Sequence, residues 1–535
     1  MSNAIHARPD RMRFQDIRQR METARDLEGS GSLEEAFSAY CSVLESFPSI
    51  LFALLGAGRT AYRLGQSADA LEHYRRAAEL HPDRPEPILY IAQQQAKDDL
   101  VEAAKTYSAG ASRFPDNELL RSLSAEASVH LHGENGLSAH FDIDAELLRS
   151  EYQERVFLSI LSSRRAILSL EELSRYHGRL AEKFPSDPST LRYARALMAT
   201  RKYQEALQAF EAVSDDANAE ALMGRAICNG ALGEFEASRT LLERYMSGDV
   251  SAHKALETCG TFLDASPDLG RATDIVHDLN RTVGDPGLEN LIAFSRSILP
   301  PKRALLNGDI RDHSFRVSAA GETRAVVLAF AGFGLRTGAL PFSLIDRFFA
   351  GHGVAVGSLV DAQGCLFWKG VASLGKDLGA TVSALKAELA AMNLDRTYTL
   401  GNSGGGAAAM VYGCELGARR ALSFSGPTDL RKSFLARIGD RRAQAVIHGL
   451  NKRLTDRELN LRGWLEDRED RCAIHAYYCE KEKDDAAQAA NISHIPGVSL
   501  RPISRYSAHE CIGSALGTGD LLREFNSILE DIRLG

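Results

Sequence analysis

The chain has 535 residues, of which 44% are hydrophobic and 25% charged, with a formal net charge of −8. That composition excludes a largely disordered or collagen-like chain, and the acidic balance argues against a protein whose whole surface binds nucleic acid, so no nucleic-acid partner is expected. No stretch approaches the roughly 18 consecutive apolar residues of a membrane span, and the first residues lack the apolar core of a signal peptide, so the expectation is a cytoplasmic protein without a transmembrane segment.

Three segments near the start repeat one another. Ala36 and Tyr40 precede Phe47-Pro48, Ala70 and Tyr74 precede His81-Pro82, and Ala103 and Tyr107 precede Phe114-Pro115, so the prolines fall 34 and then 33 residues apart. A small residue followed by an aromatic four positions later lies on one helix face, where the first admits a partner helix and the second fills the groove. Gly31 and Gly65 are placed to end the preceding helix in a left-handed conformation, and the prolines stop the following one. Asp98 stands at the third glycine position, which predicts a looser turn there. Over residues 14–131 this pattern resembles the tetratricopeptide repeat, a helical hairpin of about 34 residues.

Weaker copies follow. Phe184-Pro185, the run Lys202 to Phe210 and the run Leu232 to Leu241 mark a second, divergent helical array over residues 150–285, separated from the first by a break at 132–150. The resemblance implies a solenoid whose concave face binds a protein or peptide partner; an internal scaffold is the other reading.

Pro300-Pro301 and Asn307-Gly308-Asp309 mark a boundary, after which short apolar runs alternate with helical segments. The predicted strands are Ser314–Ser318, Ala325–Phe330, Val354–Val360, Thr397–Leu400, Ala421–Phe424, Ala473–Tyr478 and Val498–Ile503. Between them lie helices over Phe342–Phe349, Leu374–Met392 and Gly405–Leu416. Continuous apolar strands buried on both faces predict a mostly parallel sheet flanked by helices over residues 305–535. The fold class is therefore multidomain, an all-α repeat solenoid followed by an α/β domain.

The stretch Gly401-Asn402-Ser403-Gly404-Gly405 follows a strand and opens a helix. A glycine-rich phosphate loop would need a Lys after the glycines, and none is present; a dinucleotide G-x-G-x-x-G is not matched. G-x-S-x-G resembles the nucleophile elbow of the α/β-hydrolase fold, in which a serine sits on a sharp strand-to-helix turn. Gly401 and Gly405 give strand and helix room to approach.

The resemblance implies Ser403 as nucleophile and an oxyanion hole made by the Gly404 N–H with a second donor from the loop after Ala325–Phe330, where Phe333 is the choice, Leu335 the alternative, and Arg336 a reader of an anionic group. The family order, serine then acid then histidine, implies His509 as base, with His494 the alternative and His475 a packing residue. It implies Asp485 as the acid, with Asp484 and Asp429 as alternatives.

Residues 428–471, polar, helical and containing Trp464, are expected to form a cap. Their arginines (Arg431, Arg437, Arg441, Arg442, Arg453) are expected to solubilise a helix face before they favour an anionic substrate. Eight cysteines without a C-x-x-C pair point to buried thiols, and no metal or cofactor is expected. The resulting expectation is a serine hydrolase or acyltransferase acting on an ester or thioester; the alternative is an interaction scaffold with an inactive hydrolase-like domain.

Overall fold

The computed structural model describes residues 9–96, 99–117, 119–121, 123–124, 127, 170–306, 314–319, 323–332, 340–442, 444–470, 472–509 and 511–534. The chain divides into two compact units, residues 1–168 and 169–535. No helix among the described residues is long and apolar enough to cross a membrane.

In the first unit the repeat reads out as antiparallel helices: α1 (Pro9–Ser30), α2 (Leu33–Ser46), α3 (Leu51–Arg63), α4 (Ser67–Leu80), α5 (Glu86–Gln95) and α6 (Leu100–Arg113). Gly31 and Gly65 turn the chain with φ of +88° and +83°, the left-handed conformation that glycine adopts without a Cβ penalty. Asp98, the third counterpart, lies outside the described residues; its neighbour Asp99 caps α6 by accepting the Glu102 N–H.

Ala36, Ala70 and Ala103 are fully buried and Tyr40, Tyr74 and Tyr107 nearly so. The groove that each of the first two tyrosines fills is made by a glycine of α3, which follows the helix of Tyr40 and precedes that of Tyr74. A Cβ on Gly56 would stand 2.5 Å from the Tyr40 ring, and one on Gly58 2.4 Å from Tyr74. Tyr40 cannot swing aside, because its hydroxyl donates to Glu28 Oε2 at 2.8 Å and Glu28 is held in turn by Arg59 at 2.9 Å.

The second unit begins with eight more helices: α7 (Leu170–Lys183), α8 (Asp187–Ala199), α9 (Tyr203–Glu211), α10 (Ala219–Leu232), α11 (Phe235–Met246), α12 (Ala252–Ala265), α13 (Leu269–Val283) and α14 (Pro286–Arg296). The aromatic-on-glycine device recurs, a Cβ on Gly224 meeting the Phe210 ring at 2.3 Å, and Gly233 turns the chain at φ +85°.

Seven strands follow: β1 (Phe315–Ser318), β2 (Ala325–Phe330), β3 (Ala355–Leu359), β4 (Arg396–Asn402), β5 (Arg420–Phe424), β6 (Ala473–Cys479) and β7 (Val498–Ile503). They form one sheet of order β1-β3-β2-β4-β5-β6-β7, parallel throughout except for β1 on β3. β2 shows why its run is uninterrupted: Ala325, Val327 and Ala329 enter the core on one face, and Val326, Leu328 and Phe330 the core on the other.

The division between compact units falls at residue 168 and not near 300. Helices of the second array share one core with the sheet, where Phe294 of α14 stacks on Phe348 of helix α15 (Phe342–Gly351) at 5.5 Å. Asn290 of the same array helix donates to the Gly517 carbonyl at 2.9 Å. The segment after Pro300-Pro301 is tied down as well: Arg303 pairs with Asp346 at 2.6 Å, both side chains buried, and Asp346 accepts the Leu306 N–H at 2.7 Å.

At the C-terminus Glu524 is buried among His475 Nδ1 (2.9 Å), the Tyr477 hydroxyl (2.7 Å) and Arg420 Nη1 (2.6 Å). Burial pushes its carboxyl up, but these three partners outweigh that and pull it down to about 2 from an ordinary 4.5. The imidazole of His475 is thus engaged by Glu524.

Gly56→Ala in the full chain lowers the urea midpoint of the first unit by the equivalent of about 1–3 kcal/mol, whereas Gly29→Ala, where a Cβ meets open space, changes it by no more than about 0.5 kcal/mol. Because the folded-state Glu524 carboxyl is depressed, its stabilisation is full above about pH 4.5 and is lost as pH falls towards 2. Urea titrations across that window should therefore show wild type more stable than Glu524→Gln at pH 6, with the difference shrinking on acidification.

Candidate active site

The site is built on the turn between β4 and the helix that follows it, α17 (Gly404–Leu416), where α16 is Leu378–Ala391. Ser403 sits between them at φ +54°, ψ −124°, a conformation that side-chain-bearing residues rarely adopt. It persists because its surroundings over-determine it. The Ser403 N–H donates to the Phe424 carbonyl of β5 at 2.7 Å, and its own carbonyl accepts from Gly406 N at 2.8 Å.

The glycines are a steric requirement. A Cβ on Gly401 would lie 2.1 Å from the Gly405 carbonyl oxygen, and one on Gly405 2.1 Å from the Phe330 carbonyl oxygen of β2. The N–H groups of Gly404 and Gly405, the first two of α17, have no carbonyl one turn back to bond and so face the space before the helix.

The Ser403 side chain meets His509. Ser403 Oγ is 2.8 Å from His509 Nε2, and His509 Nδ1 is 3.0 Å from both carboxylate oxygens of Asp485. His509 stands after β7, just before helix α23 (Cys511–Gly517), and Asp485 in the first turn of helix α22 (Lys483–Ala490), after β6. With the Nδ1 proton directed at Asp485, Nε2 is left as the acceptor for the serine hydroxyl.

The Asp485 side chain is 2% exposed. Burial pushes its carboxyl up, but the hydrogen bonds and charges of His509 and Arg442 prevail and hold it below the ordinary range.

The other candidates go elsewhere. Asp484 pairs with Arg442 at 3.1 Å, and the buried Asp429 with Arg431 at 2.6 Å. His494 pairs with Glu466 at 2.7 Å on the surface. Phe333, Leu335 and Arg336 lie outside the described residues.

The segment between β5 and β6 carries four short helices, α18 (Lys432–Ile438), α19 (Gln444–Arg453), α20 (Asp456–Leu459) and α21 (Leu461–Glu466). It is anchored on the loop after β3: Trp464 packs edge-on against Trp368 at 5.9 Å, Glu458 pairs with Lys369 at 2.9 Å, and Arg453 donates to the Gln363 carbonyl at 2.6 Å. That loop is organised by Asp361, whose carboxylate accepts the Gln363, Cys365 and Phe367 N–H groups.

The expectation that the arginines of this segment merely solubilise a helix face is corrected for Arg431, Arg442 and Arg453, which make specific contacts. A cleft of about 470 Å³ opens between this segment and α22, lined by Phe434, Arg437, Arg462, Asn491 and His494 among others, and none of Ser403, His509 or Asp485 lines it.

Three residues of the site have no signature in the sequence. Asn402 accepts the Ile512 N–H at 3.2 Å and so ties the turn at Ser403 to the helix that follows His509. Gln488 of α22 binds the backbone of Thr428 and Asp429, fastening the base of the inserted segment to the helix that carries Asp485. Arg442 reaches Asp485 at 2.7 Å. Each contact spans 43 or more residues, so local pattern cannot reveal it.

The tetratricopeptide repeat family matches residues 21–85 and 191–248. Two human proteins, RanBP2-like and GRIP domain-containing proteins 3 and 4, are each 28% identical over 219 residues, 38% of this chain and 12% of theirs. The chain thus matches only about an eighth of the length of these relatives.

Similar solved structures include a tetratricopeptide repeat protein from Parabacteroides merdae (16% identity, 46% of this chain and 99% of that one, TM-score 0.27). The Naa15/Naa10 complex with HypK is 15% identical, covering 52% of this chain and 54% of that one at a TM-score of 0.25. The chain carries tetratricopeptide repeats, a protein-interaction architecture, together with a C-terminal, mostly parallel seven-stranded sheet.

Gly405→Ala forces backbone apart at the centre of the sheet. It is expected to cost about 2–4 kcal/mol in urea denaturation and to separate Ser403 from His509, whereas Ala substitution at Gly417, beyond the far end of the same helix, meets no neighbour within 4 Å and costs only the strain of its positive φ.

Proposed function

We propose that the C-terminal part of this chain is a serine hydrolase or acyltransferase of the α/β-hydrolase type, acting on an ester or thioester, and that the repeats bring it to a protein or peptide partner. The observation that carries this reading is the Ser403 hydroxyl 2.8 Å from His509 Nε2 while His509 Nδ1 rests on Asp485. Nucleophile and base are within hydrogen-bond reach, and a third group orients the base, on elements in the order serine, acid, histidine.

In this reading Ser403 Oγ attacks the acyl carbonyl as its proton passes to His509 Nε2. Asp485 holds the ring in the required tautomer and stabilises the imidazolium. The carbonyl oxygen takes up negative charge beside the Gly404 N–H and the start of α17, with a second donor expected from the loop after β2. His509 then returns the proton to the leaving alcohol or thiol, and water or an acceptor nucleophile repeats the steps in reverse. The chemistry asks for no metal or cofactor.

A fluorophosphonate probe should label wild-type protein on the tryptic peptide containing Ser403, with labelling abolished in Ser403→Ala and reduced by a factor of 10³ or more in His509→Ala. A folded wild-type protein that stays unlabelled and cleaves no short acyl ester would refute the enzymatic reading and leave the repeats as the functional part.

A further inference from the structure

The triad residues extend into a longer chain of charges. Asp485 is also held by Arg442, which belongs to the segment inserted between β5 and β6. Arg442 Nη1 donates to Asp485 Oδ1 at 2.7 Å. The guanidinium is itself oriented by Asp440, which takes Nε at 3.1 Å, Nη2 at 2.9 Å and the Arg442 backbone N–H at 2.9 Å. Asp484 approaches Nε at 3.1 Å. The series Asp440, Arg442, Asp485, His509, Ser403 is therefore continuous.

This is not an ordinary surface ion pair. The Asp485 and Asp440 side chains are 2% and 9% exposed while the guanidinium between them is 36% exposed, so it is the two buried carboxylates that depend on the shared cation.

We propose that Arg442 is a positioning residue for the Ser403–His509–Asp485 site: it fixes the carboxylate that orients His509, and its positive charge keeps the imidazole able to accept the serine proton at lower pH than Asp485 alone would allow. The inference rests on the reading of Ser403 as a nucleophile.

Its physical content is a competition. An unshared buried carboxylate would stabilise the imidazolium strongly and hold His509 protonated, hence inactive as a base, to higher pH. A guanidinium on the same carboxylate offsets much of that negative potential while leaving both oxygens directed at Nδ1. Among the described residues, the charged and titratable groups near the pair include Arg442 and Asp440 from the inserted segment, Asp484 from the start of α22, and Glu482, which accepts from the Ser507 hydroxyl on the loop that carries His509. The thiols of Cys479 at the end of β6 and Cys511 after His509 also feel the Asp485 charge. Arg442 is the only cation among these named groups besides His509 itself.

The test is the rate of fluorophosphonate labelling against pH, paired with NMR titration of the His509 ring in the same full-length proteins, which needs no reaction at Ser403. Arg442→Gln should move the acid limb of the labelling profile, and the ring titration with it, by about half a pH unit or more to higher pH. Arg442→Lys should return most of that shift. Asp484→Asn, which removes a negative charge from the same cluster, should move both readouts in the opposite direction, and it carries the test if Arg442→Gln does not fold.

Profiles and ring titrations of Arg442→Gln and Asp484→Asn that coincide with wild type would overturn the proposal while leaving Ser403 a nucleophile. A wild-type protein that is never labelled but whose ring titration moves as predicted would uphold the electrostatic role and overturn the hydrolase reading.

Discussion

The structure around the site depends on one close approach. β4 and α17 meet where Gly401 faces the Gly405 carbonyl, and α17 meets β2 where Gly405 faces the Phe330 carbonyl. No side chain fits at either place, so the helix leaves the strand through a turn that only a strained residue can complete, and Ser403 is that residue. The strain is met by bonds from β5 and from the first turn of the helix. The turn directs a serine side chain outward and aims unbonded N–H groups at the same space. The sheet, with β4 at the middle of seven strands, is the rigid support for that turn.

His509 reaches the turn on a loop that is braced from two sides. Within the sheet domain, Asn402 holds the start of α23. From the second repeat array, Asp285 pairs with Arg505 at 3.1 Å, and Tyr506 packs so tightly on Gly287 that a Cβ there would stand 2.1 Å from its hydroxyl. His253 of the same array meets the Tyr506 ring edge-on at 6.5 Å. The array that begins as a repeat solenoid is thus part of the wall behind the histidine, which explains why residues 169–535 form one compact unit with a shared core.

Much of this was legible in sequence, for identifiable reasons. Strands such as Ala325–Phe330 are buried on both faces and appear as unbroken apolar runs. The alanine and tyrosine spacing recurs because every hairpin meets its neighbour in the same way. Ser403, His509 and Asp485, which the structure brings within hydrogen-bond reach of one another, stand out in sequence because each follows a strand, in the order that the hydrolase resemblance implies. What stayed hidden is tertiary. The partner of Tyr40 is Gly56 in the next helix, and nothing local marks that glycine as a groove. Arg442 looked like one surface arginine among several, because the carboxylate it binds lies 43 residues away. Asp485 is the sequence's choice over Asp484 and Asp429, and of the three it is the carboxylate that lies against the imidazole.

In the proposed reaction the Ser403 hydroxyl, activated by His509, takes up an acyl group. Its most direct measurement is rapid-quench intact-mass and peptide-mapping analysis after mixing the protein with a short-chain p-nitrophenyl ester. A nucleophilic Ser403 gives an acyl adduct on the peptide that contains it, which forms in a burst, turns over, and is absent from Ser403→Ala. Release of p-nitrophenol with no adduct at Ser403, or equal release by Ser403→Ala, would contradict it.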